Sequence, residues 1–200
     1  MDPYNYGLAR DISSFDLRQN FVATYRYDFP FDKLFRQDNR WTQGWAISGV
    51  TRFTTGVPVT LVNPDDTSLI GTGNNGVNNS TIDELKVSAG SLQINHDPRN
   101  GQPYFNTALF SLPGLGTIGN SGRRSFYGPG MQKWDMALLK TTKLTESKSL
   151  EFRFEAFNTF NHAQFFGATS VDGNINDPTF GHVISADAPR IAQVALKFRS

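Results

Sequence analysis

Long stretches of the chain alternate between apolar and polar side chains. From Ser149 onward, Leu150, Phe152, Phe154 and Ala156 fall on one side of an extended backbone, and Glu151, Arg153 and Glu155 fall on the other. The end of the chain repeats this, with Ala192, Val194, Leu196 and Phe198 opposite Ile191, Gln193, Ala195 and Lys197. A period of two is the signature of a β-strand, because successive side chains point to opposite faces of a sheet. Nearer the start, Phe21, Ala23, Tyr25, Tyr27 and Phe29 oppose Val22, Thr24, Arg26 and Asp28, and Pro30 closes the run. Trp45, Ile47, Gly49, Thr51 and Phe53 then oppose Ala46, Ser48, Val50, Arg52 and Thr54. Trp134, Met136, Leu138, Thr142 and Leu144 form a further apolar side, interrupted by Lys140. With a shorter run at 180–186, paired to the last strand around Asp187-Ala188, the pattern predicts six strands, near 17–31, 41–55, 134–144, 148–158, 180–186 and 189–198.

The first two runs exceed the usual strand of about five or six residues. They reach the roughly 9–11 residues that a tilted strand needs to cross a bilayer. Three full charges on the second face of 148–158 suit a wall with lipid outside and a water-filled lumen inside. The expected fold class is therefore all-β, the antiparallel wall of a transmembrane β-barrel. Such barrels have at least about eight strands, so six make the wall incomplete, and the chain reads as the C-terminal piece of something larger. Asp32 to Arg40 and Thr145 to Lys148 read as short turns. Residues 61–133 form one long loop rich in Asn, Gly, Asp, Ser and Pro, with one or two helical turns at Asp83 to Ser91 and a strand at Tyr104 to Phe110. Residues 158–179 form another loop. In outer-membrane barrels the long loops are extracellular and the short turns periplasmic.

Composition agrees with this and removes several classes. Charged residues make up 18% of the chain, below the roughly 25% of soluble domains, and Phe dominates the aromatics. A net charge of +1 with scattered Lys and Arg gives no field for nucleic acid. The absence of Cys excludes disulfide scaffolds, thiolate metal sites and cysteine nucleophiles. No apolar run is long enough for a transmembrane helix. Met1 to Gly7 has neither the basic nor the apolar region of a signal peptide. An exported barrel needs one, so an upstream part of a longer protein is expected.

Few residues suggest chemistry. Gly71-Thr-Gly73-Asn-Asn-Gly76 matches GxGxxG, but no helical period follows to hold a pyrophosphate, so it reads as loop. His96, His162 and His182 lack the spacing of a helical metal site, and no nucleophile elbow supports Ser/His/Asp chemistry. No catalytic, cofactor or metal residues are assigned, and no enzyme activity or cofactor is expected. Arg26, Asp28, Arg52, Glu151, Arg153 and Glu155 are the candidate lumen-facing residues, there either to contact a plug or ligand or to form a cross-strand salt-bridge ladder that stiffens the wall. Tyr25, Tyr27, Trp41, Trp45, Trp134 and Phe198 are candidate membrane-interface aromatics.

Several segments carry a family resemblance: Asp16-Leu-Arg-Gln-Asn-Phe-Val-Ala-Thr-Tyr; Gly44-Trp-Ala-Ile-Ser-Gly-Val-Thr-Arg-Phe-Thr-Thr-Gly-Val-Pro; Gly119-Asn-Ser-Gly-Arg-Arg; Gly128-Pro-Gly; Phe152-Arg-Phe-Glu-Ala-Phe-Asn-Thr-Phe-Asn-His; and Pro189-Arg through Lys197-Phe198. In this order they resemble the C-terminal barrel segment of a TonB-dependent outer-membrane receptor of the Oar-like type, whose members begin with a carboxypeptidase-regulatory-like domain. No single motif is specific, but the ordered set covers nearly the whole chain. The resemblance implies a plugged barrel of the bacterial outer membrane that takes up a scarce ligand. Its partners would be the TonB complex, reached through a missing N-terminal part, the barrel-insertion machinery and an unknown extracellular ligand. The family's usual terminal aromatic is replaced by Ser200, leaving Phe198 as the nearest. The alternative from another class is a secreted β-sandwich carbohydrate-binding module.

Overall fold

In a computed structural model that describes residues 11–34, 39–69 and 83–199, the long alternating runs form one antiparallel sheet. Its strands are β1 (Asn20–Asp28), β2 (Trp45–Thr54), β5 (Met131–Lys143), β6 (Ser149–Phe157) and β7 (Ile191–Arg199), in the order β1-β2-β5-β6-β7. Two short strands, β3 (Lys86–Val87) and β4 (Phe110–Ser111), pair separately. By contacts the chain divides into two compact units. The wall unit comprises Gln19–Thr54, Met131–Gln164 and Asp187–Ser200, and the loop unit comprises Met1–Arg18, Thr55–Gly130 and Phe165–Ala186. No helix among the described residues is long and apolar enough to cross a membrane.

The sheet is a meander whose register keeps the sequence alternation intact. Asn20 pairs with Thr54, Thr54 with Met131 and Phe157 with Ile191. The connections 55–130 and 158–190 thus both leave the sheet at one end. The turns 29–44 and 144–148 lie at the other. The tighter one closes with Leu144 and Thr145 N–H groups donating to Lys148 O and with Lys148 N–H donating to Thr145 Oγ1. Phe31–Leu34 adds a single helical turn to the longer.

Where β6 ends, the backbone needs two residues in the left-handed region, and asparagines supply both, Asn158 at φ 51° and Asn161 at φ 52°. Their side chains then tie the corner. Asn158 Nδ2 donates to His162 O at 3.0 Å, Asn158 Oδ1 accepts from His162 N–H at 3.0 Å, and Asn161 Oδ1 accepts from Arg190 N–H at 2.9 Å, just before β7. Gln164, 2% exposed, continues the ladder with its side chain. Its amide oxygen accepts from Gln132 N–H at 2.8 Å and its Nε2 donates to Gln132 O at 2.5 Å.

Four expectations from the sequence are corrected. Residues 180–186 are not a strand. Phe180 and His182 N–H groups close turns onto Asp177 and Thr179, and only an isolated Val171–Val183 bridge remains. Phe180 is needed in the core of the loop unit, which outweighs its short alternating run. The hairpin around Asp187-Ala188 is therefore absent, and five wall strands are found instead of six. Asp83 to Ser91 is not helical, because Asp83 bridges Asn63 and Lys86–Val87 pairs with Phe110–Ser111. In Tyr104 to Phe110 only Phe110 joins a strand, while Thr107–Leu109 forms a 3-10 turn capped by the Asn106 side chain.

The long loop also has a core of its own. Val59, Leu61, Leu85, Tyr104, Phe105, Phe110, Phe126 and Val171 are buried together. Phe105 is 1% exposed and lies within 4.9–5.5 Å, ring to ring, of Phe110, Phe126 and Phe180. Polar side chains replace regular backbone pairing around it. Asp83 accepts from Ser68 N–H and Ser68 Oγ, both at 2.8 Å, and Asn120 and Ser121 bond the backbone of Leu85 and Val87. The Gly-Val-Pro and Gly-Pro-Gly segments face each other, with Gly128 N–H on Val57 O at 2.8 Å. A Cβ at Gly56 would sit 1.8 Å from Gly128 O, so the contact requires glycine there.

Two buried groups in this unit titrate abnormally. The Tyr104 hydroxyl, bonded to Tyr127 O at 3.1 Å, is pushed up to about 12 by burial. Burial also raises the Glu84 carboxyl, opposed by the positive charge of Arg123. A raised folded-state pKa favours the protonated form. The contribution of Glu84 to stability is thus full below its unfolded pKa of about 4.3 and is lost as pH rises through the folded value. Glu84→Gln is expected to remove this dependence. Protease resistance of the loop unit, scanned in temperature from mildly acidic to neutral pH, should fall with pH in the parent and stay flat in the variant.

Candidate functional site

The sheet register sorts the wall into two faces of opposite character, and both are candidate working surfaces. Across the strands, Arg26 aligns with Ser48, Ala137, Glu155 and Gln193, and Asp28 with Ala46, Leu139, Arg153 and Ala195. Arg52 lies between Val22 and Lys133, and Glu151 between Thr141 and Lys197. All six charges singled out in the sequence therefore share one face. Lys133, Asp135, Gln193, Lys197 and Arg199 join them. The same alternation carried one step further along each strand would have found these.

The charges pair in a mixed way. Arg26–Asp28 at 2.9 Å and Arg153–Glu155 at 2.6 Å run along single strands, while Arg199–Glu151 at 2.8 Å crosses from β7 to β6. Gln193 Nε2 also donates across to Glu155, and Arg52 Nε donates to Asn20 Oδ1 at 3.0 Å. Of the ion pairs among the described residues, the one that crosses strands as the expected ladder would is Arg199–Glu151, between β7 and β6. The Arg26–Asp28 pair is open to solvent and stiffens the wall little, whereas Glu151 is buried beside Arg199. Small side chains in the middle of this face, among them Thr24, Ser48 and Ala137, leave a cleft of about 220 Å³ that also meets Asp135, Arg153 and Glu155. Arg153 Nε is buried there with no hydrogen-bond partner among the described residues.

The opposite face is apolar and open. Phe21, Phe53, Leu138, Phe152, Phe154, Val194, Leu196 and Phe198 are all exposed, with Val194 at 63% and Leu196 at 67%. A β-sandwich would bury such a face against a second sheet, whereas these side chains are exposed.

Aromatic rings border this apolar face at both ends. Toward the long connections, Phe21, Phe53, Trp134 and Phe160 form a row with successive ring centroids 6.4, 5.5 and 5.7 Å apart. Toward the short turns, Tyr27 packs edge-on to Phe29 at 5.3 Å and Phe29 stacks on Phe31 at 4.9 Å. Trp45 Nε1 donates there to Trp41 O at 2.8 Å. Trp134 and Lys140 mark the two rows on β5, about 20 Å apart along the strand. Phe198, paired with Leu150, lies at the short-turn end. Of the aromatics proposed from sequence, Tyr27, Trp41, Trp45, Trp134 and Phe198 thus lie toward one end or the other. Tyr25 belongs to neither row. Its ring covers Gly49, where a Cβ would sit 2.6 Å from the Tyr25 hydroxyl, as aromatic side chains do over strand glycines. Phe21, Phe53 and Phe160 stand in the Trp134 row without having been singled out from the sequence, where interface belts are usually sought as Trp and Tyr.

Lys140, an anomaly on the apolar face, is accounted for by its reach. Its Nζ lies 5.3 Å from the Trp45 ring centre and donates to Arg40 O at 2.7 Å and to Gln43 O, so the charge sits at the turn while the stem covers apolar surface. Lys140→Met is expected to weaken the turn by about 1.5–3 kcal/mol, the range for hydrogen bonds involving a charged group. Faster hydrogen exchange and proteolysis confined to 39–44 would show it.

A model of the family described as outer membrane beta barrel domain matches residues 1–193. The chain belongs to the outer membrane beta barrel domain family. Comparisons with curated proteins and with solved structures found no match. As a member of this family the protein resides in the bacterial outer membrane, and its open antiparallel sheet is an incomplete stretch of barrel wall.

Proposed function

We propose that this wall belongs to a TonB-dependent receptor that takes up a scarce ligand through a plugged barrel, as a transporter and not an enzyme. The observation that supports the reading best is the segregation of charge. Arg26, Asp28, Arg52, Glu151, Arg153 and Glu155 share the face opposite the exposed apolar band, as the lining of a water-filled lumen would. The cleft beside Arg153, with a buried donor left unpaired among the described residues, suits a plug segment or ligand that offers an acceptor. The ordered resemblance to Oar-like receptors adds the TonB complex, met through an N-terminal part, and the insertion machinery as partners. The long connections 55–130 and 158–190 then face outward and meet the ligand, following the usual asymmetry of such barrels.

Two measurements test this. In intact cells, a thiol reagent that cannot cross the outer membrane should label Ser91→Cys and spare Lys33→Cys, a clean readout because the chain has no cysteine of its own. The reverse pattern would invert the orientation. For coupling, deletion of the gene, of TonB, or of both should give the same growth defect on a panel of scarce iron chelates, cobalamin and oligosaccharides. A defect that adds to that of the TonB deletion would overturn energy-coupled uptake.

A further inference from the structure

Where β6 ends and β7 begins, the wall unit holds a second cavity, of about 170 Å³, at the end from which the long connections leave. Its floor is fixed in place. Asn158 and Gln164 are 5% and 2% exposed, and their side-chain amides are bonded to the backbone of His162 and of Gln132. Phe157, Pro189 and Ile191 give the cavity an apolar side.

Two charged side chains complete the lining, Lys133 and Asp187. Among the described residues neither makes an ion pair or a side-chain hydrogen bond, with the other or with a third group. Lys133 is half-buried, and Arg52 stands directly opposite it across β2 and β5. Like charges so placed destabilise a sheet. Arg52 Nε donates only to the neutral Asn20 Oδ1, at 3.0 Å. Asp135, two residues along β5 on the same side, pairs with neither cation, and its Oδ1 accepts from Asn158 N–H at 2.8 Å. The cavity therefore meets cations on its β5 side and an unpaired carboxylate just before β7.

A charge stripped of part of its water with no counter-charge in return is unfavourable. An anion would relieve Lys133 and be repelled by Asp187, and a cation would do the reverse. A ligand carrying both signs satisfies the two together. The cavity is smaller than the about 300–1,000 Å³ of drug-sized sites, so both charges must sit close together on a small molecule. An α-amino acid has them on adjoining carbons, and an aliphatic side chain would fill the space against Phe157, Pro189 and Ile191.

We infer that this cavity binds a free aliphatic α-amino acid as its zwitterion, with the carboxylate on Lys133 and the ammonium on Asp187. The inference deepens the uptake reading and rests on it for the role of the bound ligand, by naming the class of molecule met at the outward mouth.

The experiment is calorimetric titration of the encoded protein, purified in detergent from outer membranes, with leucine, leucinamide and 4-methylpentanoate. Leucinamide lacks the carboxylate and 4-methylpentanoate lacks the ammonium. Leucine is expected to bind saturably and about tenfold or more tightly than either analogue, as the loss of a charge-assisted hydrogen bond implies. Lys133→Met should reduce leucine to the level of leucinamide, and Asp187→Asn should reduce it to that of 4-methylpentanoate. No saturable binding of leucine, equal binding of all three compounds, or leucine binding unchanged in both variants would overturn the inference. If a variant does not yield heat-modifiable protein, the comparison of the three compounds on the parent decides. The titration does not involve TonB, so its failure leaves the growth test of coupling standing, and failure of that test leaves the titration standing.

Discussion

Phe105→Ala is expected to unfold the loop unit while leaving the wall strands paired. Phe105 is the most enclosed aromatic of the core around Val59, Leu61 and Leu85, and it touches the rings of Phe110, Phe126 and Phe180. These rings come from three separate stretches, so truncation leaves a cavity that no single segment can move to fill. Such substitutions cost about 3–5 kcal/mol. Few other terms in this unit can offset the loss, because among the described residues its regular backbone pairing amounts to the two-residue β3–β4 ladder and isolated bridges. Limited proteolysis of outer membranes should cut the variant within 83–130 and 165–186 and leave β5 and β6 protected. Equal resistance of variant and parent would show that the aromatic cluster is not what holds the unit together.

The second large effect is expected on the apolar face. Leu138 lies mid-wall, aligned with Ile47, Phe154 and Val194 between the two aromatic rows. An Arg at such a lipid-facing position costs about 2–4 kcal/mol. Val50 is also exposed but points to the charged face, directly across from Asp135. Val50→Arg should therefore be nearly neutral, and Leu138→Arg should cut the yield of heat-modifiable protein in the outer membrane many-fold. Matching yields would mean that the faces have been assigned the wrong way round.

The wall was readable from sequence because lipid on one side and water on the other impose the strictest alternation a strand can show. Every residue placed on a face from the pattern of Phe21 to Asp28, or of Leu150 to Ala156, lies on that face in the sheet. The loop unit was not readable for the opposite reason. Its folding rests on side chains bonding backbone, such as Asp83 on Ser68 and Asn120 on Val87, and on apolar residues far apart in sequence, none of which creates a period. The same cause explains the false strand at 180–186, where Phe180 and Val183 pack against the core of the loop unit. Of the charged face, the shared side of the six residues was legible, but their partners were not. Pairing along a strand or across it depends on register and rotamer, which a single sequence does not state.

The loop unit is also a clasp between distant parts of the chain. Asn176 Nδ2 donates to Asp65 Oδ2 at 2.8 Å across a separation of 111 residues, and Val62 bridges Asn174. Contacts this remote are costly to close in the unfolded chain and delay folding. The unit cannot finish its core until residues 171–183 have been made and brought back to 59–126. Until then Phe105, Phe110 and Phe126 lack the cover that Val171, Phe180 and Val183 give this core.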